Sequence, residues 1–386
     1  MTMDGAVAAM AGGAVLGTAT MVKLAVNGNI LGISGIVNGI CGTLVSRSSS
    51  PWYWRAVFTL GFLAAGMVLR AVAPEALQAL PTSMSWARIV LAGALVGLGT
   101  SMGNGCTSGH GISGLTRLSK RSVVATATFM TSAACTASIT ATSGYFPTAT
   151  ADAPIVSATV AIASSLVLLG VLGTFVGVLS TAVGPKTAAA AADSADHPAR
   201  LATEFMAAMS FGLALGISGM GRAQQVAAFL DVHDGVWDPT LALVMGGALA
   251  VTLPLYHLHV KTMIPVLNIK LEIPSRTDID LNLVVGAGLF GAGWGLCGVC
   301  PGPALINVFA PGAMVWQSRN GAFIAAMLGG ALVEQLIKQW RNDRKIACMQ
   351  CADEEAMPPA ADQEADAEAP ATSKDCTAAE TVAPNP

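Results

Sequence analysis

What this sequence has least of is charge. Asp, Glu, Lys and Arg make up 11% of the 386 residues, where an ordinary soluble domain carries about 25%. So few charged residues cannot cover a water-facing surface, which excludes a soluble protein. An excess of basic residues is missing too. The 20 Lys and Arg face 23 Asp and Glu, for a net charge of −3, and no basic surface points to nucleic acid. No basic stretch precedes the first apolar run, so that run reads as a retained helix rather than a cleaved secretory signal. A disulfide framework is also lacking. Of the eight cysteines, Cys41, Cys106, Cys135, Cys297 and Cys300 lie in apolar segments, and Cys348, Cys351 and Cys376 lie near the C-terminus. Cys297-Gly-Val-Cys300 has redox spacing without the βαβ context of a thioredoxin-like motif. Cys348-Met-Gln-Cys351 has no second ligand pair for zinc. No metal site and no cofactor is read from the sequence.

What is there is apolar. Hydrophobic residues reach 53%, mean hydropathy is +0.61, and there are 42 glycines. Apolar runs near the 18-residue threshold for crossing a bilayer recur along the chain. Nine spans are expected, at 6–24, 54–73, 86–103, 122–143, 155–182, 201–218, 239–258, 281–296 and 320–338. The fold class is therefore an all-α polytopic membrane protein, with a lipid bilayer as its surroundings. Cytoplasmic loops carry the excess of Lys and Arg. Placing Arg117, Lys120 and Arg121 inside also puts Lys186, Arg200, Lys261, Lys270, Arg276 and the Lys338–Lys345 cluster inside. The loops left outside, 144–154, 231–238 and the one around Glu75, are acidic or neutral. This predicts an external N-terminus and a cytoplasmic C-terminus.

The sequence repeats itself. "GISGIVNG" from Gly32 returns as "GISGMGRA" from Gly216, which makes Gln225 the counterpart of Cys41. "GLGTSMGNGC", ending at Cys106, returns as "GAGWGLCGVC", ending at Cys300, with Gly99 opposite Gly293. An odd number of spans separates the two units, so the second is inverted, a common plan of membrane transporters with the substrate site at the repeat interface. The expected division is a first repeat in 1–150, a connector span and loop in 151–200, a second inverted repeat in 201–345, and a disordered acidic tail in 346–386. A further flexible loop is expected at 184–199.

Within each half, glycine-rich segments sit between spans. Non-helical backbone at membrane depth is tolerated only when buried in protein or lining a wet cavity. Four re-entrant elements are thus predicted, at 27–46, 103–119, 217–230 and 295–310. Half-helices there would aim their N-termini, with free amides and partial positive charge, at a small anion. The spans hold almost no Lys or Arg, so backbone amides and the hydroxyls of Ser34, Thr107, Ser108 and Ser218 would carry the contact. Cys106 and Cys300, equivalent by the repeat, would face one path, and Cys41 could add a third thiol. A thiol is a weak, soft donor, suited to an anion with a soft terminal sulfur. His110 could relay protons or only hydrogen-bond backbone.

"GNGCTSGHGISGLTRLSKRS", "GVCPGPAL" and "GISGMGRAQQVAAFLDV" resemble the signatures of the YeeE/YedE family of sulfur-transport proteins, over roughly residues 10 to 340. The resemblance implies an hourglass-shaped bundle that imports thiosulfate across the plasma membrane (the inner membrane in a bacterium). It implies that cysteines of the narrow path hand the anion on through S–H contacts, with Cys106 and Cys300 in those roles and Cys41 as the N-terminal one. By motif, Gly105, Pro301 and Gly302 belong to the same path. Some family members act beside a small soluble sulfur-carrier protein. The reading is thus a thiosulfate transporter and not an enzyme. The alternatives are a membrane thiol oxidoreductase using Cys297 and Cys300, and a transporter of another sulfur species, a selenium species or a non-sulfur anion.

Overall fold

The computed structural model describes residues 2–46, 52–146, 157–182, 197–232, 237–311 and 318–356. Twelve α-helices carry these residues. In chain order they are α1 (Met3–Asn27), α2 (Ile33–Ser46), α3 (Tyr53–Val72), α4 (Trp86–Gly103), α5 (Lys120–Ile139), α6 (Ala158–Ala182), α7 (Pro198–Ile217), α8 (Ala223–Leu230), α9 (Thr240–Leu258), α10 (Leu281–Cys297), α11 (Pro301–Ile306) and α12 (Arg319–Ala356). A π-helical turn, Thr107–Gly114, lies between α4 and α5. The one β-type contact among the described residues is an isolated bridge between Asn29 and Glu272.

Among the described residues, eight helices are long and apolar enough to cross a bilayer, and α10 with the segment Pro301–Phe309 makes a ninth span bent by 48°. These correspond one for one to the nine expected spans. The four expected re-entrant segments contain α2, the π-helical turn, α8 and α11.

The helices pair in matched fashion. α1 packs on α9 and α7 on α3; α10 packs on α5, and Gly93 and Gly97 of α4 meet Phe323 and Met327 of α12. Two contacts join helices that correspond in the repeat, α1 with α7 and α4 with α10. Both are antiparallel. Gly12 meets Ser218 while Asn27 bonds the Arg200 carbonyl, and Gly293 meets Ala92 while Gly103 meets Ala287. Small residues permit this closeness: a Cβ on Gly99 would fall 2.6 Å from the Gly286 carbonyl.

The sequence repeat is in register for one string and out of register for the other. Gly103 and Cys297 both end a long helix, and Cys106 and Cys300 both precede a half-helix. The first "GISG", however, opens α2, whereas the second closes α7. Both strings supply small residues at tight junctions, so likeness of composition mimicked likeness of position. Gln225 is therefore not Cys41's structural counterpart.

The C-terminal part also departs from expectation. α12 runs on to Ala356, through residues read as disordered. The stretch "RNDRKIACMQCADEEA" is rich in Ala, Arg, Lys, Glu and Gln, which are good helix formers. Residues 336 onward form a unit of their own, and 357–386 lie outside the described residues. So does most of the loop expected at 184–199.

α1 hides a cation that its apolar sequence conceals. Lys23 is fully buried, its Nζ 2.6 Å from both carboxylate oxygens of Glu204 on α7 and 2.7 Å from Asn29 Oδ1. Asn27 Nδ2 donates to the same carboxylate at 2.8 Å, and Lys23 sits over the rings of Trp54 and Phe58. Removing one partner leaves the other as an uncompensated buried charge. K23M should therefore lower stability by about 3–5 kcal/mol, and K23M/E204M should recover most of that loss, both read from denaturation of the detergent-purified protein.

Candidate functional site

The site is built from two breaks of the same design. α4 ends at Gly103 and Asn104 takes a left-handed conformation, φ 56°; α10 ends at Cys297 and Gly298 does the same, φ 69°. Two residues later comes the cysteine. Cys106 (φ −130°, ψ −163°) and Cys300 (φ −91°, ψ 164°) are both extended and both sit immediately before a half-helix. The chain thus turns back after each long helix and presents a thiol at the turn.

The two thiols open on one cavity. Cys106, Thr107, Ser108, Cys300, Pro301 and Gly302 line it, closed off by apolar side chains such as Leu16, Ile33, Ile112, Phe211 and Leu215. Thr107 Oγ1 lies 3.6 Å from Cys300 Sγ, and Ser108 Oγ lies 3.3 Å from Cys106 Sγ. The cavity measures about 20 Å³, enough for a water, so a polyatomic anion enters only if side chains move. No charged residue lines it among the described residues.

Sequence reasoning missed two members of this lining, Met220 and Met245. Their thioethers add two soft sulfurs to the two thiols. Met220 lies within the "GISGMG" string, which was the available signal. Met245 stands in an apolar span with nothing to mark it.

The other expected residues are distributed less simply. Ser34 is buried near the start of α2, and its Oγ has no hydrogen-bond partner. Cys41 is buried but lies eight residues beyond Ile33 on the same helix, about 12 Å along the axis, and does not line the cavity. Ser218 ends α7 and turns its hydroxyl back to the Leu215 carbonyl at 3.2 Å. His110 lies within the π-helical turn, Nε2 3.2 Å from the Gly103 carbonyl and Nδ1 3.1 Å from Ser122 Oγ. A carbonyl only accepts, so Nε2 carries the proton and Nδ1 accepts from Ser122.

The helix N-termini are not equal donors either. Pro301 and Pro303 have no N–H, so α11 offers only the Gly302 amide in its first three residues. At α8 the Gln224 amide is already bonded to Gln78 Oε1 at 3.0 Å. Four amide-rich N-termini around one anion is therefore not what the fold presents; sulfur and hydroxyl groups dominate.

On one side of this centre lies a vestibule of about 500 Å³, lined by Asn104, Gly109, His110, Arg117, Arg121 and Arg276, among others. Arg121 pairs with Asp280 at 2.8 Å, and Arg276 with Asp278 at 2.7 Å. The hydrogen bond from Arg276 holds the Asp278 carboxyl below the usual carboxylate range. The pairing thus persists above that lowered value and is lost as pH falls through it. Arg117 donates from Nε to the Ser113 carbonyl at 3.0 Å. On the opposite side, Asn307 and Asn320 bond the loop after α3: Gln78 N donates to Asn307 Oδ1 and Leu80 N to Asn320 Oδ1.

Residues 2–136 match a family model described as sulphur transport, and residues 199–346 match a family of unknown function. Two relatives from Xylella fastidiosa (strain Temecula1 / ATCC 700964) are each named "Probable transporter". One is 36% identical over 36% of this chain and 90% of its own length. The other is 44% identical over 33% of this chain and 88% of its own length. The chain belongs to the YeeE/YedE-like sulfur-transport family. It is more than twice as long as either relative, as those shares require. No solved structure matches it. The family's Gly-x-Gly-Cys-Thr-Ser-Gly-His-Gly string is the segment from Gly103 to Gly111 that holds one thiol and one wall of the vestibule.

Gly105 separates the two. A Cβ there would fall 2.5 Å from His110 Cδ2 and 2.6 Å from Nε2, driving the ring off both partners. G105A should lower stability by about 1–3 kcal/mol in a denaturation experiment, whereas G109A, with nothing within 4 Å of its new methyl, should be close to neutral.

Proposed function

We propose that this sulfur-family transporter takes up thiosulfate across the plasma membrane, passing it between Cys106 and Cys300 as weak S–H donors. The observation that carries the reading is the sharing of one cavity by two thiols, each at the turn before a half-helix. A dianion in a site without fixed cations must be held by neutral donors. Two thiols, Thr107, Ser108 and the Gly302 amide supply them, and two thioethers match the soft terminal sulfur. Weak contacts suit conduction, since a station that binds tightly does not release.

The chain in this reading consists of two inverted halves, 1–150 and 201–345, joined by the connector span. The antiparallel pairing of α1 with α7 and of α4 with α10 supports it, as does the exchange of partners between α3 and α9. With the N-terminus outside, the arginine vestibule faces the cytoplasm. The anion leaves there, drawn by Arg117, Arg121 and Arg276, and a small soluble sulfur-carrier protein would receive it. Cys41, farther along α2, is a station outside the central cavity. Cys297 ends α10 and is not among the cavity-lining residues described, which weighs against a cycling Cys297–Cys300 disulfide.

The test is growth and uptake in a thiosulfate auxotroph. C106A and C300A should each lower uptake of labelled thiosulfate more than tenfold at unchanged membrane levels, and C297S should stay within about twofold. Normal transport by C106A defeats the relay. Competition by sulfide or selenium species stronger than by unlabelled thiosulfate would reassign the cargo.

A further inference from the structure

The vestibule and the thiol cavity share no lining residue, and their chemistry differs. Thiols and hydroxyls line the cavity, whereas Arg117, Arg121 and Arg276 line the vestibule. Two of these three cations are already answered. Arg121 bonds Asp280 at 2.8 Å, and Arg276 bonds Asp278 at 2.7 Å and Asp280 at 3.3 Å. Two carboxylates against three guanidiniums leave one positive charge. Among the described residues no carboxylate pairs with Arg117, so the surplus is its own.

The backbone beneath Arg117 is fixed from other elements. His257 Nε2 on α9 lies 3.0 Å from the Thr116 carbonyl, and the Thr116 hydroxyl meets that of Thr252 on the same helix. Ser113 Oγ donates to the Leu31 carbonyl at 2.8 Å. The guanidinium itself uses one donor inward, Nε to the Ser113 carbonyl at 3.0 Å. Its two Nη groups have no acceptor among the described residues. They form a planar fork that stays charged and fits a pair of oxygens. A cleft with low-dielectric walls focuses such a charge on an incoming anion.

We infer that the vestibule is a second anion site, in which the free fork of Arg117 binds two oxygens of a tetrahedral sulfur oxyanion. The inference rests on the proposed reading for its cargo and deepens it. Thiosulfate has a soft end and a hard end; the thiols take the terminal sulfur, and Arg117 takes the sulfonate oxygens. Sulfate has four oxygens and no soft atom. It therefore binds in the vestibule although the thiol cavity does not suit it.

Radiolabelled sulfate is the probe, in equilibrium dialysis against the detergent-purified full chain at constant ionic strength. Wild type should bind it saturably, and R117Q should weaken the binding about tenfold or more. K120Q removes the same charge three residues away, outside the lining, and should stay within about twofold. R117K keeps the charge and loses the fork, so its affinity should fall between those of wild type and R117Q. Unchanged affinity in R117Q, or an equal loss in K120Q, overturns the site. Where R117Q fails to fold, R117K decides, and wild-type affinity there overturns it. A wild type that binds no sulfate overturns it outright. The assay needs no transport, so the two readings part: a wild type that takes up no thiosulfate removes the cargo reading and leaves a site that Arg117-dependent sulfate binding supports. Sulfate binding independent of Arg117 removes the site and leaves the cargo reading standing.

Discussion

A helix broken inside a bilayer exposes amides and carbonyls where there is no bulk water to bond them, and each unmet group costs several kcal/mol. Among the described residues this chain breaks its helices four times, and the sealing of those breaks shapes the site between them. Each break passes through a left-handed residue: Gly28, Asn104, Gly219 and Gly298. That conformation returns an amide to the helix just left, as in Gly28 N to Leu24 O and Gly298 N to Trp294 O, so the carbonyl end is closed locally. At three of the breaks the amide end is closed in three different ways. α2 gives the Ile33 amide to Ser108, α8 gives that of Gln224 to Gln78, and α11 deletes two of its amides by using proline.

Sealing the amides decides what is left for a ligand. Had all four half-helices kept free N-termini, the centre would be a strong anion trap, suited to holding and not to passing. Prolines and side-chain caps remove several of those donors. Around the cavity itself, which no charged residue lines, the side-chain donors are weak ones, the thiols and hydroxyls of Cys106, Thr107, Ser108 and Cys300. Charge is kept at the margins. The arginines stand in the vestibule, two of them already paired with Asp278 and Asp280, and the Lys23–Glu204 pair is locked between α1 and α7.

The features legible in the sequence were those set by composition or by local pattern. Apolar length gave the spans, and glycine density gave the re-entrant segments. Cys106 and Cys300 could be matched because each stands at a fixed distance from the helix end before it, and that distance is local. What depends on distant pairing was hidden. Lys23 sits in an apolar run, and nothing nearby announces a carboxylate 181 residues away. Met245 looks like an ordinary core residue until the fold places it in the cavity wall with the thiols. "GISG" misled because the string meets two needs, the start of a half-helix in α2 and the end of a long one in α7.

The cavity is too small for its proposed cargo, which says where motion must occur. α4, α5, α10 and α12 meet through glycines whose neighbours are backbone atoms, at Gly93, Gly97, Gly99, Gly291 and Gly295. Such contacts are close-packed on both sides and cannot part without losing dispersion along their whole length. The half-helices are held differently. α11 has six residues and the π-helical turn eight, and the turn is anchored by a few hydrogen bonds: Ser113 Oγ donates to the Leu31 carbonyl, the Ile33 amide donates to Ser108 Oγ, and His110 bonds the Gly103 carbonyl and Ser122 Oγ. Displacing the turn breaks these few hydrogen bonds, about 0.5–1.5 kcal/mol net each, and in the proposed reading an entering anion supplies new ones. The thiols ride at the tips of these two elements. In the proposed reading, the parts that open for an anion are therefore the parts that bind it, and the long helices form the frame.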